Sequence, residues 1–224
     1  MRDLPKISPL GDNAVTIDFG NVISLRLNQR VISLAEQLTS DPFPGFIEAV
    51  PAYSSLAIFY DILATATAFP DHESAFAAVR SIVSRIDIDG GSSRESRLVE
   101  VPVDFGPGGA LDLNDIALRA AMSPEEVVEI FTKSEYRVFM LGFLPGFAYM
   151  GEVDERIAAP RRQTPRLKVP KGSVGIAGRQ TGIYPLESPG GWQIIGRTDV
   201  ELFTPNADSP CFFQPGDTVR FLKI

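Results

Sequence analysis

Leu-Gly-Phe-Leu-Pro-Gly-Phe-Ala-Tyr-Met-Gly (Leu141–Gly151) opens the stretch that decides the fold of this chain. It continues through Pro-Arg-Arg-Gln-Thr-Pro-Arg-Leu-Lys-Val-Pro-Lys-Gly-Ser-Val-Gly-Ile-Ala-Gly-Arg-Gln-Thr-Gly-Ile-Tyr-Pro (Pro160–Pro185). It closes with Glu-Ser-Pro-Gly-Gly-Trp-Gln-Ile-Ile-Gly-Arg-Thr (Glu187–Thr198). Ten of the nineteen glycines and six prolines fall between Gly142 and Gly196. Glycine permits positive φ and close backbone approach, while proline fixes φ and removes a donor, so long helices are excluded here. Short strands with tightly specified turns follow, and a small closed barrel is the economical way to leave no free edge.

The charge of the same stretch is unusual. From Arg156 to Thr198 there are eight cations (Arg156, Arg161, Arg162, Arg166, Lys168, Lys171, Arg179, Arg197) and one anion, Glu187, in a chain of net charge −7. Local basicity on an acidic protein excludes a general nucleic-acid footprint, which needs a basic face. It suits either a solvated basic surface or a site for a small carboxylate or phosphate held by guanidinium forks and turn amides. The glycine density favours the second reading.

Other chemistry is excluded by scarcity. One cysteine, Cys211, and one histidine, His72, rule out an intramolecular disulfide and a Cys/His zinc site within one chain. No Gly-x-Ser-x-Gly elbow, phosphate-loop motif or dinucleotide fingerprint occurs. The absence of an apolar leader and of any membrane-length run points to a cytoplasmic protein with no membrane partner.

Outward from the central stretch, Ala14–Phe19 alternates as a half-buried strand. Leu27, Val31, Leu34, Ala35 and Leu38 share a helical stripe. Phe46–Ala52 and Ser55–Tyr60 read as strands. Asp71 begins a second helix with the stripe Phe76, Val79, Val83 and Ile86, and Arg97–Val103 is a further strand. This β-α-β-β-α-β order predicts a ferredoxin-like domain over residues 1–104. Gly106-Pro107-Gly108-Gly109 marks the boundary, and residues 105–224 form the second domain. In it, Leu113–Ala121 reads as a helix, and Ser123-Pro124-Glu125-Glu126 carries the capping-box signature of another. The fold class is therefore α+β.

These motifs resemble the allophanate hydrolase subunit 1 family. Leu-Gly-Phe-Leu-Pro-Gly-Phe, Thr-Pro-Arg, Gly-Ser-Val-Gly-Ile-Ala-Gly, Gln-Thr-Gly-Ile-Tyr-Pro and Ser-Pro-Gly-Gly-Trp carry most of the likeness. Pro9-Leu10-Gly11-Asp12 and Pro215-Gly216-Asp217 extend it to nearly the whole chain. The resemblance implies a cyclophilin-like β-barrel as the C-terminal domain after the ferredoxin-like one. It implies membership of an ATP-dependent 5-oxoprolinase complex that opens 5-oxo-L-proline to L-glutamate. The expected partners are an allophanate hydrolase subunit 2-like protein, which shares a composite site, and a LamB/YcsF-like protein. Inhibition of a sensor histidine kinase and a urea- or allophanate-type amide reaction are the family's alternatives. ATP, with magnesium, is expected in the complex rather than demonstrable on this chain. The family's histidine before Leu-Gly-Phe-Leu-Pro-Gly-Phe is matched here by Phe131, read as a packing replacement.

Arg166 and Lys168 are the expected ligands of a substrate carboxylate or phosphate. Gly190 and Gly191, in Ser188–Trp192, are expected to expose amides to an anion, with Trp192 as an apolar wall; a tight turn with a buried Trp is the equal alternative. Ser173, Gln180, Thr181 and Tyr184 complete the expected substrate-binding set, Gln180 and Thr181 serving either a lactam or the turn at Gly182. Phe143, Pro145 and Phe147 are expected at an interface or pocket wall. No residue reads as a general base and none as a metal ligand.

Overall fold

The computed structural model describes residues 5–88 and 96–224. The chain divides into two compact units, Met1–Glu95 and Ser96–Ile224. In the first, β1 (Lys6–Pro9), β2 (Ala14–Asp18), β3 (Phe46–Pro51) and β4 (Ser55–Tyr60) form an antiparallel sheet in the order β1-β2-β4-β3. The alternation of β2 and β4 buries Val15, Ile17, Leu56, Ile58 and Tyr60 against Val31, Leu34 and Leu38 of helix α1 (Leu25–Ser40). A short helix that was not expected, α2 (Ile62–Ala68), precedes α3 (Ala75–Val83), which is the helix expected from Asp71. Asp61 caps the first and Ser74 the second, each accepting from a backbone N–H three residues on. His72 lies in the connection between them.

The largest departure from expectation is Leu98–Val103, β5. It does not join the first sheet but pairs in parallel with β13 (Thr218–Lys223) of the second unit. The edge position beside β2 goes instead to β1, whose turn to β2 spans only Leu10–Asn13. Short loops lose little closure entropy, which favours this local pairing over a strand from much later in the chain. Pro102 lacks an amide donor and is tolerated in β5 because that strand is laddered on one side only.

The second unit continues with α4 (Leu113–Ala120), α5 (Pro124–Lys133), β6 (Glu135–Leu141), β7 (Ala148–Gly151) and a 3-10 turn at Glu155–Ile157. It ends with β8 (Arg166–Val169), β9 (Ser173–Ala177), β10 (Gln180–Ile183), β11 (Ser188–Gly190), β12 (Gln193–Arg197) and β13. Seven strands run in the order β12-β9-β10-β7-β6-β13-β5, while β8 and β11 make a small ribbon. The ends of the seven-stranded sheet meet where Asp104 and Arg197 exchange backbone hydrogen bonds of 2.8 Å, so the barrel is nearly closed. Ser123 and Glu126 form the expected capping box on α5. Phe131, on that helix, is fully buried and stacks on Phe221 at 4.9 Å; it is a core residue. No described helix is long and apolar enough to cross a membrane.

Gly172 has φ +80°, and a methyl group there would collide with the Thr198 carbonyl oxygen. Its amide donates to Tyr184 O at 2.7 Å, so the same turn fixes Tyr184. Gly172→Ala is expected to lower stability by about 3 kcal/mol, the left-handed backbone and overpacking adding together. Ser123→Ala should cost about 1 kcal/mol. Denaturant unfolding of the two variants checks the order, and a neutral Gly172→Ala would contradict the turn geometry.

Candidate functional site

The loop Gly142–Phe147 folds back on itself. Gly142 N donates to Phe147 O, Leu144 N to Gly142 O and Phe147 N to Leu144 O, all at 2.9–3.1 Å. Phe143 takes a φ of +69°, a conformation that bulky side chains rarely adopt, and its ring is left 60% exposed. Gly146 packs directly on the backbone of Leu202, which leaves no room for a Cβ. The result throws Phe143 outward and Phe147 inward.

Around Phe147 the aromatic side chains meet edge to face. Its ring centroid lies 4.9 Å from Tyr149, 5.5 Å from Tyr184, 5.5 Å from Trp192 and 5.5 Å from Phe143. Such pairs are each worth about 0.5–1.5 kcal/mol beyond burial, so the cluster is a rigid wall. These rings, with Arg161, Pro165 and Pro189-Gly190-Gly191, line a cavity of about 240 Å³. Burial pushes the Tyr184 hydroxyl above its ordinary pKa, while the Trp192 backbone and the charges of Arg161 and Arg166 pull the other way. Tyr184 therefore stays neutral in the physiological range. Among the described residues the lining contains no carboxylate, histidine or cysteine.

The cations of the basic stretch are mostly spoken for. Arg156 pairs with Asp154, Lys171 with Glu201, and Arg179 with Glu152 and Glu155. Lys168, expected to bind substrate, is exposed and pairs with Glu187 at 3.0 Å. Arg166, expected to do the same, forks onto Asp112 with bonds of 2.9 and 2.7 Å. Arg162 adds a third bond to that carboxylate at 2.9 Å, and the Ile194 amide a fourth at 2.6 Å. Asp112 is 1% exposed. Two of the five N–H donors of Arg166 are taken by that carboxylate and its side chain does not line the cavity, which places Arg166 in the frame around it. Among the described residues Arg161 and Arg197 make no ion pair, and of these Arg161 lines the cavity.

Several other expectations also move. Gly190 and Gly191 line the cavity, but neither has a positive φ, so they do not form an amide nest. Gly190 is instead the point where the Tyr184 hydroxyl and ring press against the backbone, and Gly191 O accepts from Arg162 N at 2.7 Å. Thr181 is buried and donates to Gly175 O at 2.9 Å inside the sheet. Ser173 is buried at the start of β9, and Gln180 sits opposite Ala177 in the β9–β10 hairpin; neither lines the cavity. The Ser188 hydroxyl turns back to Pro189 O, and Pro145 stands on the exposed side of its loop. Trp192, Tyr184, Phe143 and Phe147 are brought together as walls. Sequence reasoning does not single out Asp112, because it precedes a helix by one residue and resembles an ordinary cap.

Residues 5–213 match the family described as carboxyltransferase domain, subdomain C and D, and this chain belongs to it. A Bacillus subtilis protein named as a 5-oxoprolinase subunit is 44% identical over 98% of this chain and 92% of its own length. Its namesake from Escherichia coli O157:H7 is 38% identical over 95% and 93%. Among solved structures, a conserved uncharacterized protein from Pyrococcus horikoshii is 45% identical over 98% of this chain and 97% of its own, with a TM-score of 0.56. The chain spans only 40% of the length of TTHA0988, which is 38% identical over 94% of this chain with a TM-score of 0.78.

Trp192 is the only tryptophan, so its emission reports the cavity. A methyl at position 190 would strike Tyr184, and overpacking of this kind costs about 1–3 kcal/mol. Gly190→Ala is expected to shift Trp192 emission to longer wavelength in the folded protein. Unchanged emission in a folded variant would contradict the close contact.

Proposed function

We propose that this chain is a subunit of an ATP-dependent 5-oxoprolinase complex, acting on 5-oxo-L-proline. Substrate meets it in the aromatic cavity, with the substrate carboxylate on Arg161. The observation that carries this reading is a guanidinium, without an ion pair among the described residues, at the rim of an apolar, ring-walled cavity of about 240 Å³. The substrate is a small five-membered lactam with one carboxylate. Its methylenes suit the faces of Tyr184 and Trp192, and its charge suits one Arg. The near-full-length likeness to proteins named as 5-oxoprolinase subunits supports the assignment.

The net hydrolysis adds water to the lactam carbonyl and breaks the C–N bond. The nitrogen takes a proton to become the amine of L-glutamate, and the former carbonyl carbon becomes the side-chain carboxylate. A positioned base must accept a proton from that water. The described cavity lining offers no carboxylate, histidine or cysteine for the task, which supports a composite site completed by an allophanate hydrolase subunit 2-like partner. A LamB/YcsF-like protein is the second proposed partner. Among the described residues no group of three His, Cys, Asp or Glu is placed to hold a metal. One guanidinium also does not match a nucleoside triphosphate. ATP with magnesium is assigned to the complex as a whole, and this chain's part is to bind, orient and exclude water from the lactam. Placement in the cytoplasm belongs to the same proposal. So does reading the first unit as a ferredoxin-like variant whose N-terminal strand takes the fourth strand's edge.

Arg161→Ala should raise KM for 5-oxoproline about 10- to 150-fold in the reconstituted complex, the equivalent of a charge-assisted hydrogen bond of about 1.5–3 kcal/mol. Its stability should be unchanged, because no ion pair among the described residues is lost. Lys168→Ala should leave kinetics alone. ATP-dependent glutamate release checks both, and an Arg161→Ala complex with wild-type KM would overturn the assignment.

A further inference from the structure

We propose that Asp112 is a positioning residue for substrate binding: it fixes the Pro160–Arg166 segment so that Arg161 faces the aromatic cavity. The proposal rests on the reading of that cavity as the substrate site. It starts from what a single buried carboxylate ties together. Its two oxygens accept from Arg162, from both terminal nitrogens of Arg166 and from the Ile194 amide, bonds of 2.6–2.9 Å spanning three stretches of chain. Asp112 N also donates to Ile194 O at 2.7 Å, so this residue and β12 are fastened in both directions.

The segment held in this way has no regular structure of its own between the 3-10 turn and β8. Its other ties lead to the same place. Gln193 Nε2 donates to Pro160 O at 3.0 Å, and Arg162 N donates to Gly191 O at 2.7 Å. Arg161 thus has an anchored neighbour on each side, while among the described residues no carboxylate claims its own side chain. Lost orientation of a binding group is felt as lost affinity even where no ligand contact is removed. Asp112 also answers two guanidiniums with one negative charge. Arg162 and Arg166 are consequently kept off the cavity, and the local field there remains positive toward an arriving carboxylate.

A merely structural carboxylate would change thermal stability alone. A positioning carboxylate changes the affinity term of the kinetics, seen as a KM increase with kcat preserved. In the reconstituted complex, Asp112→Asn should raise KM for 5-oxoproline roughly tenfold and leave kcat within about threefold. Arg162→Lys keeps the charge at a partly exposed position but replaces the terminal guanidinium nitrogen that reaches Asp112 with an ammonium of different reach, and should raise KM roughly threefold in a stably folded protein. A wild-type KM in Arg162→Lys, or in a folded Asp112→Asn, would overturn the proposal. Amide hydrogen exchange of the chain itself supplies a reading that needs no substrate. Protection at the Arg162 amide should fall about tenfold or more in either variant, with core strands β9 and β10 unchanged. Unchanged Arg162 protection would overturn the positioning role. A wild-type complex that releases no glutamate, beside lost Arg162 protection in the variants, would sink the functional reading and leave the clamp standing.

Discussion

A single buried carboxylate organises the part of this protein that surrounds the aromatic cavity. Taking Asp112 out of water is costly, and only full satisfaction of its oxygens makes it tolerable. Three guanidinium nitrogens and one backbone amide provide that satisfaction, and they come from Arg162, Arg166 and Ile194, far from Asp112 in sequence. The requirement runs in both directions. Each guanidinium is held at a fixed place because the carboxylate has nowhere else to turn, and the irregular 160s segment gains a definite course from it.

The aromatic cluster is the complementary half. Phe147 stands at the centre of four edge-to-face contacts, and the tight loop that delivers it carries Phe143 at a strained positive φ. Such strain of about 1–3 kcal/mol persists only where the surroundings overdetermine it. Gly146 against Leu202 and Gly190 against Tyr184 are the close approaches that do so. The outcome is a rigid apolar box with Arg161 at its rim and, among its described lining residues, no base. On the proposed reading, binding and chemistry are divided between this chain and a partner that completes the site.

Much of this is legible in the residues. The density of glycine and proline after Leu141 predicts short strands and a barrel, and Ser123 with Glu126 predicts the start of α5 because capping is a local interaction. The aromatic and glycine positions 143, 147, 184, 190, 191 and 192 fall in the one stretch read from the sequence, and they line one cavity. The rest depends on distant pairing. Nothing in Leu98–Val103 says which sheet its alternation will complete, and the competing strand Lys6–Pro9 is short and carries a proline. Arg166 reads as the best ligand-binding fork because its geometry suits any carboxylate, and the one it takes lies more than fifty residues upstream. Arg161 is distinguished from its neighbours by lacking such a partner among the described residues. Identity of residue type predicts the chemistry of the site, and elimination in three dimensions chooses the residue.

The most direct test is a crystal structure of the reconstituted complex with 5-oxo-L-proline bound. The lactam ring is expected against Tyr184 and Trp192, with its carboxylate within hydrogen-bonding distance of the Arg161 guanidinium and Asp112 still holding Arg162 and Arg166. A ligand enclosed by partner residues alone, with Arg161 turned to solvent, would contradict it.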